Sequence, residues 1–196
     1  MIKTHTYKLY QNKSYEKKFD RWIGICRMVY NLAKETKEYA YKTRGLNLSC
    51  YDLQKQLTDL KSEYLFINEV DSQSLNKTIE RLDRAYKSFF KGSGYPKWAK
   101  KEKYMSIDFT QAIRQTERGF KVGKFGLIKV FKNKKINGNI KRARLIRKAG
   151  DLFECVECGH SDNADLQATK NIMKLGTQLL HANVVGCDKR SARILI

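Results

Sequence analysis

The sequence predicts an α+β fold in which a helical bundle is inserted into a small β-barrel. Two observations carry this. Between residues 14 and 91 apolar side chains recur every three or four positions, and from 105 to 146 they alternate in short runs divided by glycines. A weakly alternating run at 2–10 precedes the helical stretch, so a first strand can join the later ones in the barrel.

Within the helical stretch, Phe19, Trp22, Ile23, Cys26, Tyr30 and Ala33 fall on one stripe and predict a long helix from Ser14 to about Arg44. Gly45 is its stop. Ser49 and Asp52 form a capping-box pattern, and Leu53, Leu57 and Leu60 continue it as a second helix. Leu75, Ile79, Leu82, Tyr86, Phe89 and Phe90 mark a third, with Gly92 in the position of a C-terminal cap. On the other side of that helix fall Lys77, Arg81, Arg84 and Lys91, a basic stripe suited to a phosphate backbone. An ordinary solvated face is the alternative, with Glu80 and Asp83 at its edge.

Residues 92–104 change character. They hold the single proline, Pro96, and interleave Tyr95, Trp98 and Tyr104 with Lys97, Lys100, Lys101 and Lys103. Rings that stack on bases beside lysines that neutralise phosphates suit single-stranded nucleic acid. A linker whose rings pack on a neighbouring domain explains the same pattern. Met105, Ile107 and Phe109 then alternate with Ser106, Asp108 and Thr110, and further strands follow at 120–122, 127–131 and 142–146. Arg142 and Arg144 share one face of the last of these.

The charge balance narrows the partners. Forty Lys and Arg against 20 Asp and Glu give a formal net charge of +20. Such a density draws polyanions and releases their counterions on contact. No apolar run approaches the roughly 18 residues of a spanning helix, and the N-terminus lacks a signal-peptide core, so no membrane partner is expected. Five cysteines, an odd number, predict no disulfide framework and a cytoplasmic protein.

Several segments, in order, resemble the TnpB/OrfB family of insertion-sequence-encoded RNA-guided nucleases, relatives of type V CRISPR effectors. Trp22–Asn31 (WIGICRMVYN) is similar to the family's G-x-C-R-x-V-Y-N segment, and Leu82–Gly92 (LDRAYKSFFKG) to its L-x-R-A-Y-x-x-F-F segment. Tyr95-Pro96-Lys97 resembles the lysine-rich stretch that follows. Arg142–Gly150 (RARLIRKAG) looks like the strand leading into the nuclease domain, and residues 153–172 like the zinc ribbon and last nuclease motif. The resemblance implies a wedge-like barrel from residues 1–10 and 92–150, a helical recognition domain at 11–91, and a remnant of zinc ribbon and RuvC nuclease at 151–196. It also implies guide RNA and target DNA as partners. Arg27, in the first matching segment, joins the residues expected to bind nucleic acid.

The same resemblance shows what is missing. RuvC-type cleavage uses two divalent metals about 3.5–4 Å apart, which one carboxylate cannot hold. Asp165 matches the last of the family's three acids, whereas Gly150 is followed almost at once by Phe153, with only Asp151 and Glu154 between the barrel and the ribbon. The RuvC body reads as internally deleted, Asp165 as an orphan, and Mg²⁺ as not expected. Cys155 and Cys158 form one C-x₂-C pair, half of a tetrahedral zinc site. His160, His181 or Cys187 are the candidates to complete it, so zinc is possible. The expected function is an RNA-guided DNA-binding protein that no longer cuts. A decayed transposase fragment and a generic RNA-binding zinc protein are the alternatives.

Overall fold

A computed structural model describes residues 3–10, 12–131 and 135–147, together with the backbone of 152–154, 161–163 and 192–195. The expected sites at Asp165, Cys155 and Cys158 lie outside the described residues.

Strand β1 (Thr6–Lys8) leads into α1 (Lys13–Arg44), a 32-residue helix about 48 Å long at 1.5 Å per residue. Its start is fixed by Asn12, whose side chain accepts the Ser14 N–H at 3.0 Å. Its end is fixed by Gly45 in the left-handed conformation, φ 65°, donating its N–H to the Tyr41 carbonyl. Helix α2 (Cys50–Glu63) opens with the expected capping box between Ser49 and Asp52. A short 3₁₀ turn, Leu65–Glu69, joins it to α3 (Ser72–Phe89). Here the helix ends at Phe89 with Phe90 as its cap; Gly92, φ 96°, lies in the turn beyond and is not the cap residue.

Four strands follow: β2 (Ser106–Phe109), β3 (Ile113–Thr116), β4 (Gly119–Val122) and β5 (Gly126–Lys129). Next come β6 (Ala143–Arg147), the pair β7 (Leu152–Glu154) and β8 (Ser161–Asn163), and β9 (Ala192–Leu195). Strands β3-β4-β5 form an antiparallel meander, while the larger sheet runs β1-β9-β6-β2. Both ends of the chain therefore build one sheet, with β9 between β1 and β6.

The expected barrel does not close among the described residues. The two sheets meet through the isolated bridge Leu9–Val130 and its flanking bonds, Tyr10 N–H to Lys129 and Phe131 N–H to Lys8. At the opposite edges β2 and β3 are consecutive yet unpaired, so a gap remains where closure needs a ladder. The observed architecture is a mixed α+β fold of three helices and small antiparallel sheets among the described residues.

One core runs through both parts. Trp22 of α1 packs edge-on to Phe125 at 5.1 Å between ring centroids and lies 6.2 Å from Phe109 of β2. The apolar stripe predicted for α1 is buried from Phe19 to Ala33, and that for α3 from Leu75 to Tyr86, whereas its last members, Phe89 and Phe90, are half-buried and 74% exposed where the helix ends. Two glycines set the geometry of the meander. Gly119 holds φ 153°, and a Cβ there would overlap the Ile128 backbone carbonyl. Gly123, φ 38°, lets the Asp71 carboxylate come close enough to accept the Lys124 N–H at 3.1 Å. Asp71 thus serves this turn and not its own helix, whose N-terminus it leaves without a side-chain cap. No helix among the described residues is long and apolar enough to cross a membrane.

Candidate nucleic-acid interface

The antiparallel register of β2 and β6 places Asp108 opposite Arg144, with Arg142 two residues along the same face. Helix α3 packs on β2 and brings Arg81 to the same point. All three guanidiniums bind the one carboxylate. Arg144 donates from Nε to Oδ1 at 2.7 Å and from Nη2 to Oδ2 at 3.2 Å. Arg142 reaches Oδ1 at 2.9 Å and Arg81 reaches Oδ2 at 3.0 Å.

The charges do not balance. The Asp108 side chain is 1% exposed, whereas those of Arg81, Arg142 and Arg144 are 26%, 42% and 34% exposed. One negative charge sits inside and three positive ones lie at its surface, a local excess of two. Burial pushes the Asp108 carboxyl up, but the hydrogen bond and charge of Arg144, then Arg142 and Arg81, outweigh it and hold the group below the usual carboxylate range. The site therefore keeps its anion at neutral pH, and the guanidiniums are fixed in place with N–H groups to spare.

Arg81 is also anchored from below. Its guanidinium lies over the Tyr104 ring, 4.7 Å from the centroid, and donates to Ser106 Oγ at 3.2 Å. The Tyr104 hydroxyl pairs with Thr78 Oγ1 at 3.2 Å, and burial pushes its phenol up, so it stays neutral. Beneath them Cys26 is a core thiol pushed up to about 11, chiefly by burial, and is neither a nucleophile nor a ready metal ligand. Among the described residues no group of three or more His, Cys, Asp or Glu is placed to hold a metal ion.

The aromatic and lysine-rich segment runs as a strap along α1. Asn31 grips it at both backbone groups of Ala99, accepting the N–H at 2.8 Å and donating to the carbonyl at 3.3 Å. Lys34, buried in α1, ion-pairs with Glu38 and places its ammonium 4.1 Å from the Trp98 ring centroid. Tyr95 donates to Glu38 at 2.8 Å. Pro96 is buried, and packing on the neighbouring helices accounts for Tyr104 and one side of Tyr95 and Trp98. The last two remain 50% and 47% exposed, and Lys97, Lys100, Lys101 and Lys103 are exposed.

The rest of the predicted basic stripe is dispersed. Lys77 ion-pairs with Glu80 at 2.6 Å, and Arg81 is turned onto the sheet. Arg84 is exposed and donates to the Glu80 carbonyl at 3.4 Å, while Lys91 is exposed beyond the end of α3. Arg27 is half-buried on α1. Sequence reasoning missed Asp108 as the organiser. The usable signal was a lone acid in the strand facing Arg142 and Arg144.

Residues 1–45 match the family model of the helix-turn-helix domain of IS605 OrfB proteins. In the structure that segment is β1 and the single unbroken helix α1, with no turn inside residues 13–44. A protein of Escherichia coli (strain K12), provisionally named RNA-guided DNA endonuclease InsQ, is 20% identical over 142 residues, 70% of this chain and 35% of its own length. A protein of Streptomyces pristinaespiralis, also provisionally named an RNA-guided DNA endonuclease, is 29% identical over 110 residues, 54% of this chain and 27% of its own length. This chain thus spans about a third of the length of the curated relatives it matches. Together with the ordered motifs of the sequence, these matches make the chain similar to proteins of the TnpB/OrfB family.

Proposed function

We propose that the chain binds guide RNA and, through it, target DNA, and that it does so without cutting. The observation that carries this reading is the excess of two positive charges at the Asp108 cluster, held rigidly at the joint of α3, β2 and β6. A fixed guanidinium group of that kind suits a backbone phosphate, and the net charge of +20 supplies the long-range attraction. The names of the relatives supply the class of partner.

The loss of cleavage rests on the sequence. Asp165 alone matches the family's catalytic acids, and two-metal hydrolysis needs more carboxylates than that. The finer arrangement belongs to the same proposal: a helical unit at 11–91 set into a barrel-like sheet, followed by the remnant of ribbon and nuclease at 151–196. Zinc on Cys155 and Cys158 needs two further donors. Cys26 is unsuited, being sealed in the core, so His160, His181, Cys187 or a second chain would supply them. A cytoplasmic location follows from an RNA partner made in the cell.

The test is to purify the full chain, sequence the RNA that accompanies it, and measure binding across a salt series. A defined RNA population is expected. Arg142→Gln with Arg144→Gln should weaken binding uniformly across sequences and reduce the salt slope by about two, one per lost phosphate contact. A random sample of cellular RNA overturns the guided reading, and Mg²⁺-dependent cleavage by the purified protein overturns the non-cutting one.

A further inference from the structure

Helix α2 carries a second pattern that its apolar stripe conceals. Tyr51, Gln54, Lys55, Thr58, Lys61 and Ser62 recur at three- and four-residue steps and line one groove of about 770 Å³. Its other wall holds Ser72 and Asn76, one turn apart at the start of α3, with Asn68 from the 3₁₀ turn. The acids of α2, namely Asp52, Asp59 and Glu63, fall on a different arc of the helix, and no carboxylate lines the groove.

Three features point to a ligand. Gln54 and Asn76 are partly buried, and neither side-chain amide has a hydrogen-bond partner among the described residues, so both are free to meet a ligand in the groove. Tyr51 stands at the edge, 75% exposed, with its ring on no other ring among the described residues. Lys61 donates to Ser72 Oγ at 2.8 Å, and burial, then the charge of Lys124, push its ammonium below the usual lysine range, so an anion here would be welcome. The volume lies in the range that accepts a small organic ligand.

We infer that this groove takes an unpaired nucleotide of a single strand, the base stacking on Tyr51 and meeting the amides of Gln54 and Asn76, the phosphate facing Lys55 and Lys61. Amides pair with base edges, a planar ring stacks on any base, and lysines in a groove that no carboxylate lines can neutralise the backbone. The inference rests on the reading that the chain binds nucleic acid. It adds a site that grips single strands on the helical unit, apart from the arginine cluster on the sheet.

A single-stranded oligouridine carrying 4-thiouridine, in ribose and deoxyribose forms, tests it by photo-crosslinking to the full chain. Cross-links are expected in the peptides covering residues 51–76, and the stronger of the two forms identifies the natural strand. Tyr51→Ala, at an exposed position, should weaken single-strand binding about tenfold while duplex binding and the melting temperature stay unchanged. Gln54→Ala with Asn76→Ala should do the same. Cross-links confined to other segments, or variants that bind as the parent does, overturn the groove while leaving the nucleic-acid reading intact. Failure of the parent protein to bind any oligonucleotide overturns both.

Discussion

Replacing Asp108 by alanine is expected to lower stability by about 3 kcal/mol, read from the urea midpoint at neutral pH. The figure is the low end of what removal of one partner from a buried ion pair costs. The low end applies because the three guanidiniums are 26–42% exposed and can turn partly to water. What they cannot escape is each other, since their shared anion is gone. Asp108→Asn should cost less, as one oxygen still accepts, but it too leaves three like charges without a counter-charge. The pH dependence has a definite sign. The folded carboxyl lies below its ordinary range, so its contribution is complete above the unfolded value near 3.9 and is lost as pH falls through the folded one. The stability gap between the parent protein and Asp108→Asn should therefore be constant above about pH 5 and narrow steadily below 4. A gap that stays level into strong acid would show that the carboxyl is not held down by its arginines.

The local signals in the sequence were read well where they were redundant. Helix α1 has apolar spacing along its buried half and a stop glycine, and Ser49 with Asp52 announces α2 by reciprocal capping. Strands with two or more alternating apolar residues were visible, as in Ile107–Phe109 and Ala143–Leu145. Strand β3 was not, because Ile113-Arg114-Gln115-Thr116 has a single apolar residue and pairs by virtue of β4 beside it. The Asp108 cluster lay beyond local reading for the same reason. Alternation puts Asp108 on a polar face, but its burial depends on arginines 27, 34 and 36 residues away in the chain. Arg81 shows how a stripe misleads. It sits next to buried Thr78 on the helix circumference, near enough to the core edge to swing onto the sheet. The strap was legible only as two alternatives, because the residue that settles its course, Asn31, lies 68 positions from Ala99.

That strap depends on a charge in the wrong place for a surface lysine, and from this follows the second large effect, Glu38→Ala. The Lys34 side chain is 3% exposed and its ammonium is compensated by Glu38, which also accepts from Tyr95 and, at 3.3 Å, from Tyr86. Burial pushes the Glu38 carboxyl up, but the hydrogen bonds of Lys34 and Tyr95 and the charge of Lys34 pull it below the usual range. Alanine at 38 would strand an ammonium in the interior and remove the acceptor that Tyr86 and Tyr95 share, a loss of about 3–5 kcal/mol. Lys34→Met with Glu38→Leu, which removes both charges and keeps the bulk, should recover most of it. The consequence for function is separable from the loss of stability. The strap presents Lys97, Lys100, Lys101 and Lys103 from a course fixed by Lys34, Glu38 and Asn31. If those lysines meet nucleic acid as an ordered row, the double variant, although stable, should bind more weakly, because Trp98 loses the cation that seats its ring. Equal binding by a stably folded double variant would show instead that the strap acts through its charge alone, wherever its rings lie.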